Sequence, residues 1–565
     1  MFNWSSHIQP LSIVMAIFWA GVLTSSLCFV FDPWLYTTLK SHWKLVLILL
    51  VLVVSWRLPI GGTFFHGLEY EDSYVYTVAG RQIFEHVGPN SPDFPYSIHV
   101  CAIGSLKACQ SWESFPEHFI GYPYVISLFS SVVGYRPDVG SLVNLLAACL
   151  VEILIFCIAL FATDNLAIAS SAALVFAITP VFAVYGLETS AEPASNVCIT
   201  LVMWFYLRLI IALGSTEGRW NKGVLWCAYT TVLLFSLLVK RENILLAIVL
   251  PLLLPFIASR RTVRRLPQYK LILAMLFSAA LALILGSQMR LAQTTLNEAA
   301  LLKIFPLTAE RLAIFFFGFA RSFFVNRWYG GAVAAVVLGI IVVCRRTGLL
   351  LLPLVLFVTY FLLYALHIRS YYEMRSGFVE PGAALRFSMN LMSSWALLAG
   401  FGIGAAVMRW KGTQAFRTHK RLSVIVEATI LLALLGISFA MTNELRAYAV
   451  EDEARVRIFP AHTALDYASS DGQQSDYVVT LEPLVSQMFG PKTTRIIDLV
   501  AVDEDVLHAQ ILSGDAGRLV LLDETSHETD ADFTRYGKQI QYLYSLPTKI
   551  LYSTDDFRII RIDRP

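Results

Sequence analysis

Three carboxylates, Glu69, Glu71 and Asp72, follow directly on an apolar run at 45–60 that ends at Pro59, Gly61 and Gly62. Acids at the mouth of a hydrophobic segment could take a proton from an attacking hydroxyl, bind a divalent cation, or simply be solvated. Helical spacing then brings Tyr74, Val78 and Arg81 into one stretch with them. Further along lie Glu117-His118 ahead of Tyr122-Pro123, Glu188 and Glu192-Pro193, and the run Lys240, Arg241, Glu242, Asn243. Arg369, Tyr371, Tyr372, Arg375 and Arg386 form a further polar group late in the chain. Guanidinium and ammonium groups suit a phosphate, or can pair with neighbouring acids such as Glu242 and Glu373. The tyrosines could stack on a sugar or form an interfacial aromatic belt. Glu188 and Glu192 could line a cavity or cap the helix that Pro193 begins. No Gly-rich phosphate loop, His/Cys zinc pattern or nucleophile elbow stands in a suitable context, so nucleotide-driven and hydrolase chemistry are unsupported. No metal-ligand set is assigned, and a divalent cation at the acidic cluster stays open.

What must position these groups is a membrane-embedded chain. The 565 residues are 56% hydrophobic and 15% charged, with a mean hydropathy of +0.62, outside the range of soluble globular proteins. A net charge of +2 offers no basic field for nucleic acid. Apolar runs predict about twelve spans, at 11–31, 43–60, 140–162, 166–185, 194–213, 223–239, 243–258, 270–286, 329–344, 348–367, 387–407 and 422–441. The run at 11–31 lacks a basic n-region and reads as a retained helix. The densest basic clusters, Arg260 to Lys270 and Arg409 to Arg421, must face the cytoplasm, which turns both termini and the acidic loop outwards. Arg369, Arg375 and Arg386 then stand outside, against the trend, and Glu152 is the most conspicuous charge within a span.

Outside the bilayer the reading places a large first loop at 61–139, ending in the interfacial helix FPEHFIGYPYVISLFSSVVG, and a second at 287–328 that holds RLAIFFFGFARSFF, a surface helix or else a short or re-entrant span that would change the parity. Residues 1–441 form the membrane domain. From 442 to 565 short β-rich runs (DYVVTLE, TRIIDLV, RLVLLD, KILYS, FRIIRIDR) alternate with helix-like segments, predicting a small soluble α/β domain with a turn at Thr554, Asp555 and Asp556. Of the eight cysteines, Cys101 and Cys109 alone lie in a polar loop, where they could form a short-loop disulfide or remain reduced.

The succession Glu71, Asp72, Tyr74, Tyr76, Ala79, Arg81 resembles the first extracytoplasmic loop of GT-C glycosyltransferases that use polyprenyl-phosphate sugars, such as protein O-mannosyltransferases and lipid A aminoarabinose transferases. Pro180 with Glu188 and Glu192-Pro193 is similar to their third-loop region, Lys240 to Asn243 to a basic outer turn, and Arg386-Phe387 to the opening of a late span. This chain has two helices before the acidic loop where many relatives have one. It reads Glu71-Asp72 where they read Asp-Glu, and carries His118 after Glu117 in place of a basic residue. The resemblance implies a multi-pass membrane enzyme; few N-glycosylation sequons and the general layout point to a bacterial inner membrane, and the basic clusters place the C-terminal domain outside. Its partners would be a polyprenyl-phosphate sugar donor, membrane lipids and a cell-envelope acceptor, and no cofactor is assigned. Glu71, Asp72 or Glu69 would be the base of a single, inverting displacement, and Arg386, Arg369, Arg375, Lys240 and Arg241 the partners of the leaving phosphate. The rival is a transporter or flippase of lipid-linked saccharides, which an intramembrane charge such as Glu152 would favour; the large outer loops and the lack of a repeat of the two halves oppose it.

Overall fold

The computed structural model describes residues 10–58, 71–86, 98–101, 109–112, 121–214, 219–257, 332–344, 348–365, 388–412, 420–453, 459–470, 477–480, 495–498, 519–524, 540–554 and 557–562, with isolated positions between 275 and 329. In chain order the helices are α1 Pro10–Phe31, α2 Pro33–Arg57, α3 Glu71–His86, α4 Gly121–Val133, α5 Val139–Thr163, α6 Leu166–Ile178, α7 Pro180–Val184 and α8 Ala191–Gly214. They continue as α9 Arg219–Val239, α10 Ile244–Ile257, α11 Ala332–Cys344, α12 Leu351–Ala365, α13 Met392–Lys411, α14 Lys420–Glu453 and α15 Phe459–Ser470. Of the segments read as spans, 166–185 is divided between α6 and α7, 270–286 is described only at isolated positions, and each of the others falls on one of these helices. The surface helix read at 311–324 lies outside the described residues, and the interfacial one falls on α4.

Two compact units share the chain. One comprises Met1–Gly67, His118–Tyr124 and Gly140–Arg446; the other Leu68–Glu117, Val125–Val139 and Ala447–Pro565. Most of the first loop therefore groups with the C-terminal residues. Helix α14 also runs past residue 441 to Glu453. The stretch TNELRAYAVEDE contains neither Gly nor Pro, so nothing in it stops the helix where the apolar run ends.

The first unit is a polytopic helical bundle. Helices α2, α5, α8, α9, α13 and α14 are long and apolar enough to cross a membrane, and α6 with α7, bent by 67°, makes a seventh if counted as one span. Leu47, Ile48 and Val51 of α2 and Ile430, Leu432 and Ile437 of α14 are exposed, as befits a unit whose solvent is lipid. With no hydrophobic driving force between helices in lipid, close backbone approach must hold them together. Glycines on α13 provide it. A Cβ on Gly400 would stand 2.5 Å from Ala172 Cα and one on Gly404 2.8 Å from Ile168 Cα, both on α6. On the other side, a Cβ on Gly402 would meet Ala335 O of α11 at 2.1 Å, and one on Gly339 of α11 would meet Leu398 O at 1.8 Å.

Asp32 locks the first helical pair into the bundle. Its carboxylate caps α2 by accepting from Trp34 N (3.0 Å) and Leu35 N (3.2 Å), and pairs with Arg208 of α8 at 2.8 Å. Arg208 in turn lies 5.0 Å from the centre of the Phe161 ring of α5.

In the second unit a five-stranded sheet has the order β4-β3-β5-β7-β6, with β3 Tyr477–Thr480, β4 Arg495–Asp498, β5 Leu519–Glu524, β6 Thr548–Ser553 and β7 Phe557–Ile562. The β3 strand runs parallel to β4 and β5, and β7 antiparallel to β5 and β6. These strands are the β-rich runs read from the sequence, and the Thr554 turn closes the β6–β7 hairpin by accepting Phe557 N at 3.1 Å. Ala464 and Leu465 of α15 pack with Val478, Val520, Leu522, Phe557 and Ile559 as its core. Helix α3 and a two-stranded hairpin, β1 Ile98–Cys101 and β2 Cys109–Trp112, belong to the same unit.

Candidate functional site

The break between α6 and α7 organises the polar end of the membrane unit. Pro180 has no N–H to donate and begins a new helix after Thr179. A break inside lipid leaves carbonyls that must find other donors. Arg57, fully buried at the end of α2, supplies them, donating to Ala177 O (3.3 Å), Phe182 O (3.2 Å) and Val53 O of its own helix (3.3 Å). Ser438 of α14 donates to Ile178 O and accepts from Trp56 Nε1 at 3.0 Å. The chain then makes a short 3-10 turn at Tyr185–Leu187 and enters Glu188, Thr189 and Ser190, all fully buried. Asn144 of α5 donates to Glu188 O, and Ser190 N donates to the same carbonyl at 2.7 Å. Gly140 leaves room for Thr189, whose Cγ2 would lie 2.2 Å from any added Cβ.

This fixed turn delivers Glu192 to the first turn of α8. There Glu192 Oε1 meets Lys240 Nζ at 2.7 Å, with side-chain exposures of only 2% and 10%. Lys240 follows the end of α9, lies 4.0 Å from Glu242 Oε1, and stands 5.8 Å from the centre of the Tyr364 ring. The next turn is held just as tightly. Asn243 donates to Ser195 Oγ (2.9 Å) and Ser236 O (2.9 Å), and its side-chain oxygen accepts from Tyr360 OH (2.8 Å). Asn390 donates to Tyr364 OH, and Ser393 of α13 bonds both Asn196 Oδ1 (2.8 Å) and Thr200. Helices α8, α12 and α13 and the α9–α10 turn thus converge on one buried ammonium–carboxylate pair. An ammonium so placed could exchange its carboxylate for a phosphate oxygen, and the surrounding hydroxyls and amides could bind sugar hydroxyls.

Glu152 of α5 is also fully buried, and neither of its carboxylate oxygens has a hydrogen-bond partner. Arg57 acts on it electrostatically. The charge read from the sequence as intramembrane is therefore inside the bundle and faces the arginine that holds the α6–α7 break.

In the second unit Glu71 and Asp72 stand in the first turn of α3, where the helix dipole favours carboxylates. Tyr74 lies in the same turn. Arg81, on the following turns, pairs with Glu85 at 2.8 Å and stacks 4.8 Å above the centre of the Tyr135 ring. Burial raises the Tyr135 phenol above its ordinary value, partly offset by Arg81.

Of the residues selected from the sequence, Glu192 and Lys240 are thus brought together and Arg241 begins the short turn beside them. Glu69, Glu117, His118, Arg369, Tyr371, Tyr372, Arg375 and Arg386 lie outside the described residues. Among the described residues no three His, Cys, Asp or Glu side chains form a group able to hold a metal ion. Sequence reasoning missed Arg57, Asn144, Asn196, Tyr360, Tyr364 and Asn390. The signal was present in their polarity within apolar runs, and in the i, i+4 spacing of Tyr360 and Tyr364.

No protein-family model matches the sequence, and no curated protein does. Solved structures do. ArnT from Cupriavidus metallidurans in the apo state is similar with a TM-score of 0.57 at 12% identity, over 93% of this chain and 98% of that one. The same protein bound to undecaprenyl phosphate gives 0.54 at 10% identity, with the same coverage. The Archaeoglobus fulgidus oligosaccharyltransferase in the apo form gives 0.50 at 11% identity, over 87% of this chain and 71% of that one. The chain has the GT-C fold. Glu192, Lys240 and the acids opening α3 belong to three of the four motifs on which the sequence resemblance rested.

Proposed function

We propose that this protein is a membrane glycosyltransferase that moves a sugar from a polyprenyl phosphate to a cell-envelope acceptor at the outer face of the bacterial inner membrane. The observation that carries the reading is the end-to-end fold match to ArnT, one of whose structures holds undecaprenyl phosphate. Glu71 or Asp72 takes the proton of the acceptor hydroxyl as it attacks the anomeric carbon. Glu69, just before them, and Tyr74 and Arg81, on the same helix, support that end of the reaction. Lys240 binds the phosphate that leaves, exchanging Glu192 for a phosphate oxygen; Arg241, Arg369, Arg375 and Arg386 are further phosphate partners, and Glu117, His118, Tyr371 and Tyr372 contact the sugar or acceptor. One displacement with one base inverts the anomeric configuration.

The test is transfer of labelled sugar from a panel of polyprenyl-phosphate sugars to an envelope extract by purified protein, with Glu71→Gln and Asp72→Asn beside the parent. Transfer that disappears in one folded variant supports the enzyme and identifies the base. A transporter reading draws on the buried Glu152. Saccharide-lipid movement across liposomes without any transfer would replace the first reading with the second.

A further inference from the structure

The hairpin β1–β2 sets Cys101 directly opposite Cys109. The strands are antiparallel, pairing Ile98 with Trp112, His99 with Ser111, Val100 with Gln110 and Cys101 with Cys109, so the cysteines form the last rung before the connecting residues 102–108. Opposed residues in an antiparallel pair have Cα atoms about 4.5 or 5.5 Å apart, according to whether the rung is hydrogen-bonded. Both values fall within the roughly 4.4–6.8 Å that a disulfide spans. The alternation also gives opposed residues one face of the ribbon.

Three circumstances favour oxidation at this rung. The basic clusters that orient the bundle place residues 61–139 outside, where disulfides persist. Among the described residues Cys28, Cys149, Cys157, Cys198 and Cys227 lie on helices of the membrane unit, and only Cys101 and Cys109 of the eight lie in a polar loop. The connection between the strands is also too long to be a two-residue turn that would fix the register. A covalent bond at the last rung would fix it.

We propose that Cys101 and Cys109 form a disulfide that staples this hairpin in the first outer loop. The oxidant is a disulfide-bearing thiol oxidoreductase of the envelope. The Cys101 thiolate attacks its disulfide, giving a mixed disulfide and freeing one donor thiolate. The Cys109 thiolate then displaces the second. Two protons leave the cysteine pair, and the two electrons end in the donor, which becomes a dithiol. The proposal rests on the outward placement of this loop and is independent of the transfer reaction.

Cells expressing the full-length protein are quenched in acid and denatured, free thiols are blocked with N-ethylmaleimide, and the sample is reduced and treated with a polyethylene-glycol maleimide. The parent is expected to gain two adducts, both dependent on the reduction step. Cys101→Ser and Cys109→Ser should each abolish both adducts, and Cys344→Ser should leave them in place. A parent with no reduction-dependent adduct overturns the proposal, as does a Cys101→Ser variant that keeps them. Mass spectrometry of the unreduced digest should show residues around 101 and 109 joined, and a linkage to any other cysteine equally overturns it.

Discussion

Removing one partner of the Lys240–Glu192 pair tests whether the buried network is built as the structure has it. At the observed 2.7 Å, Coulomb's law with an effective dielectric of 20 gives about 6 kcal/mol of gross attraction. Most of that offsets the desolvation of two nearly inaccessible groups, so the net value of the pair is small. Deleting one charge is different, because the other stays buried without its ion partner, at a cost of roughly 3–5 kcal/mol. Lys240→Met should therefore lower the thermal midpoint of the detergent-solubilised protein sharply. Glu192→Gln keeps an acceptor for the ammonium and should lower it less. The double variant Lys240→Met/Glu192→Gln removes both charges and should recover most of the loss. Thermal aggregation followed by size-exclusion chromatography reads all four proteins, compared as midpoints because such proteins rarely unfold reversibly. Additive single effects would refute the reasoning. So would a Lys240→Met variant as stable as the parent. The double variant also separates stability from chemistry: restored folding with lost binding of undecaprenyl phosphate assigns Lys240 to the phosphate.

Gly402→Ala would place a methyl 2.1 Å from Ala335 O, and should cost roughly 1–3 kcal/mol as α11 is pushed from α13. Gly223→Ala, inside α9 with nothing within 4 Å, should hold or slightly raise the midpoint, since Ala is the better helix former by about 1 kcal/mol, and a loss equal to that of Gly402→Ala would contradict the packing. Arg57→Met strips the donors from Ala177 O and Phe182 O, losing about 1.5–3 kcal/mol per charge-assisted bond, whereas Glu152→Leu breaks no hydrogen bond but removes the carboxylate that interacts with the buried Arg57 charge, and should destabilise by less than Arg57→Met. Loss of folded yield in Glu152→Leu alone would show that the acid, and not the arginine, holds this region. In the second unit, desolvation and then the hydrogen bond to Asp523 push the Tyr544 phenol from 10.0 up to about 12. The neutral phenol is the favoured form, so its stabilisation is complete below pH 10 and is lost as pH rises through 12. An ultraviolet difference titration against Tyr544→Phe should show one tyrosine ionising near 12, and ionisation near 10 would remove the Asp523 bond from the account.

The legible part of this fold was the part that hydropathy and strand periodicity determine. Long apolar runs became helices where expected, and DYVVTLE, TRIIDLV, RLVLLD, KILYS and FRIIRIDR became β3 to β7. Less legible was anything that depends on which helices touch. Arg57 reads as a basic residue flanking a span, the ordinary position for one. Only the bend at Pro180 turns it inward, because freed carbonyls in lipid require a donor. The α6–α7 pair read as one span for the same reason: its hydropathy is continuous, and the break is visible only as one proline. Lys240 and Glu192 were each selected from their motifs, yet their pairing is a consequence of the α8–α9 packing, which no local pattern encodes.

The membrane unit treats its two ends differently. Helix α2 separates Asp32 from Arg57 by 25 residues, about 37 Å of helix. At one end Asp32 ties the N-terminal helices to Arg208, and the rings of Trp34, Phe161 and Trp204 surround them. That cluster is closed, with each charge capped or stacked. At the other end the helices are broken, and Arg57, Asn144 and Asn243 spend side chains on holding backbone and hydroxyls in place. A bundle needing only stability would fill that end with apolar residues, since buried ion pairs seldom outperform them. Polar groups fixed this firmly around one ammonium–carboxylate pair suit the proposed exchange of Glu192 for a phosphate oxygen at Lys240, because the surrounding donors are already in position.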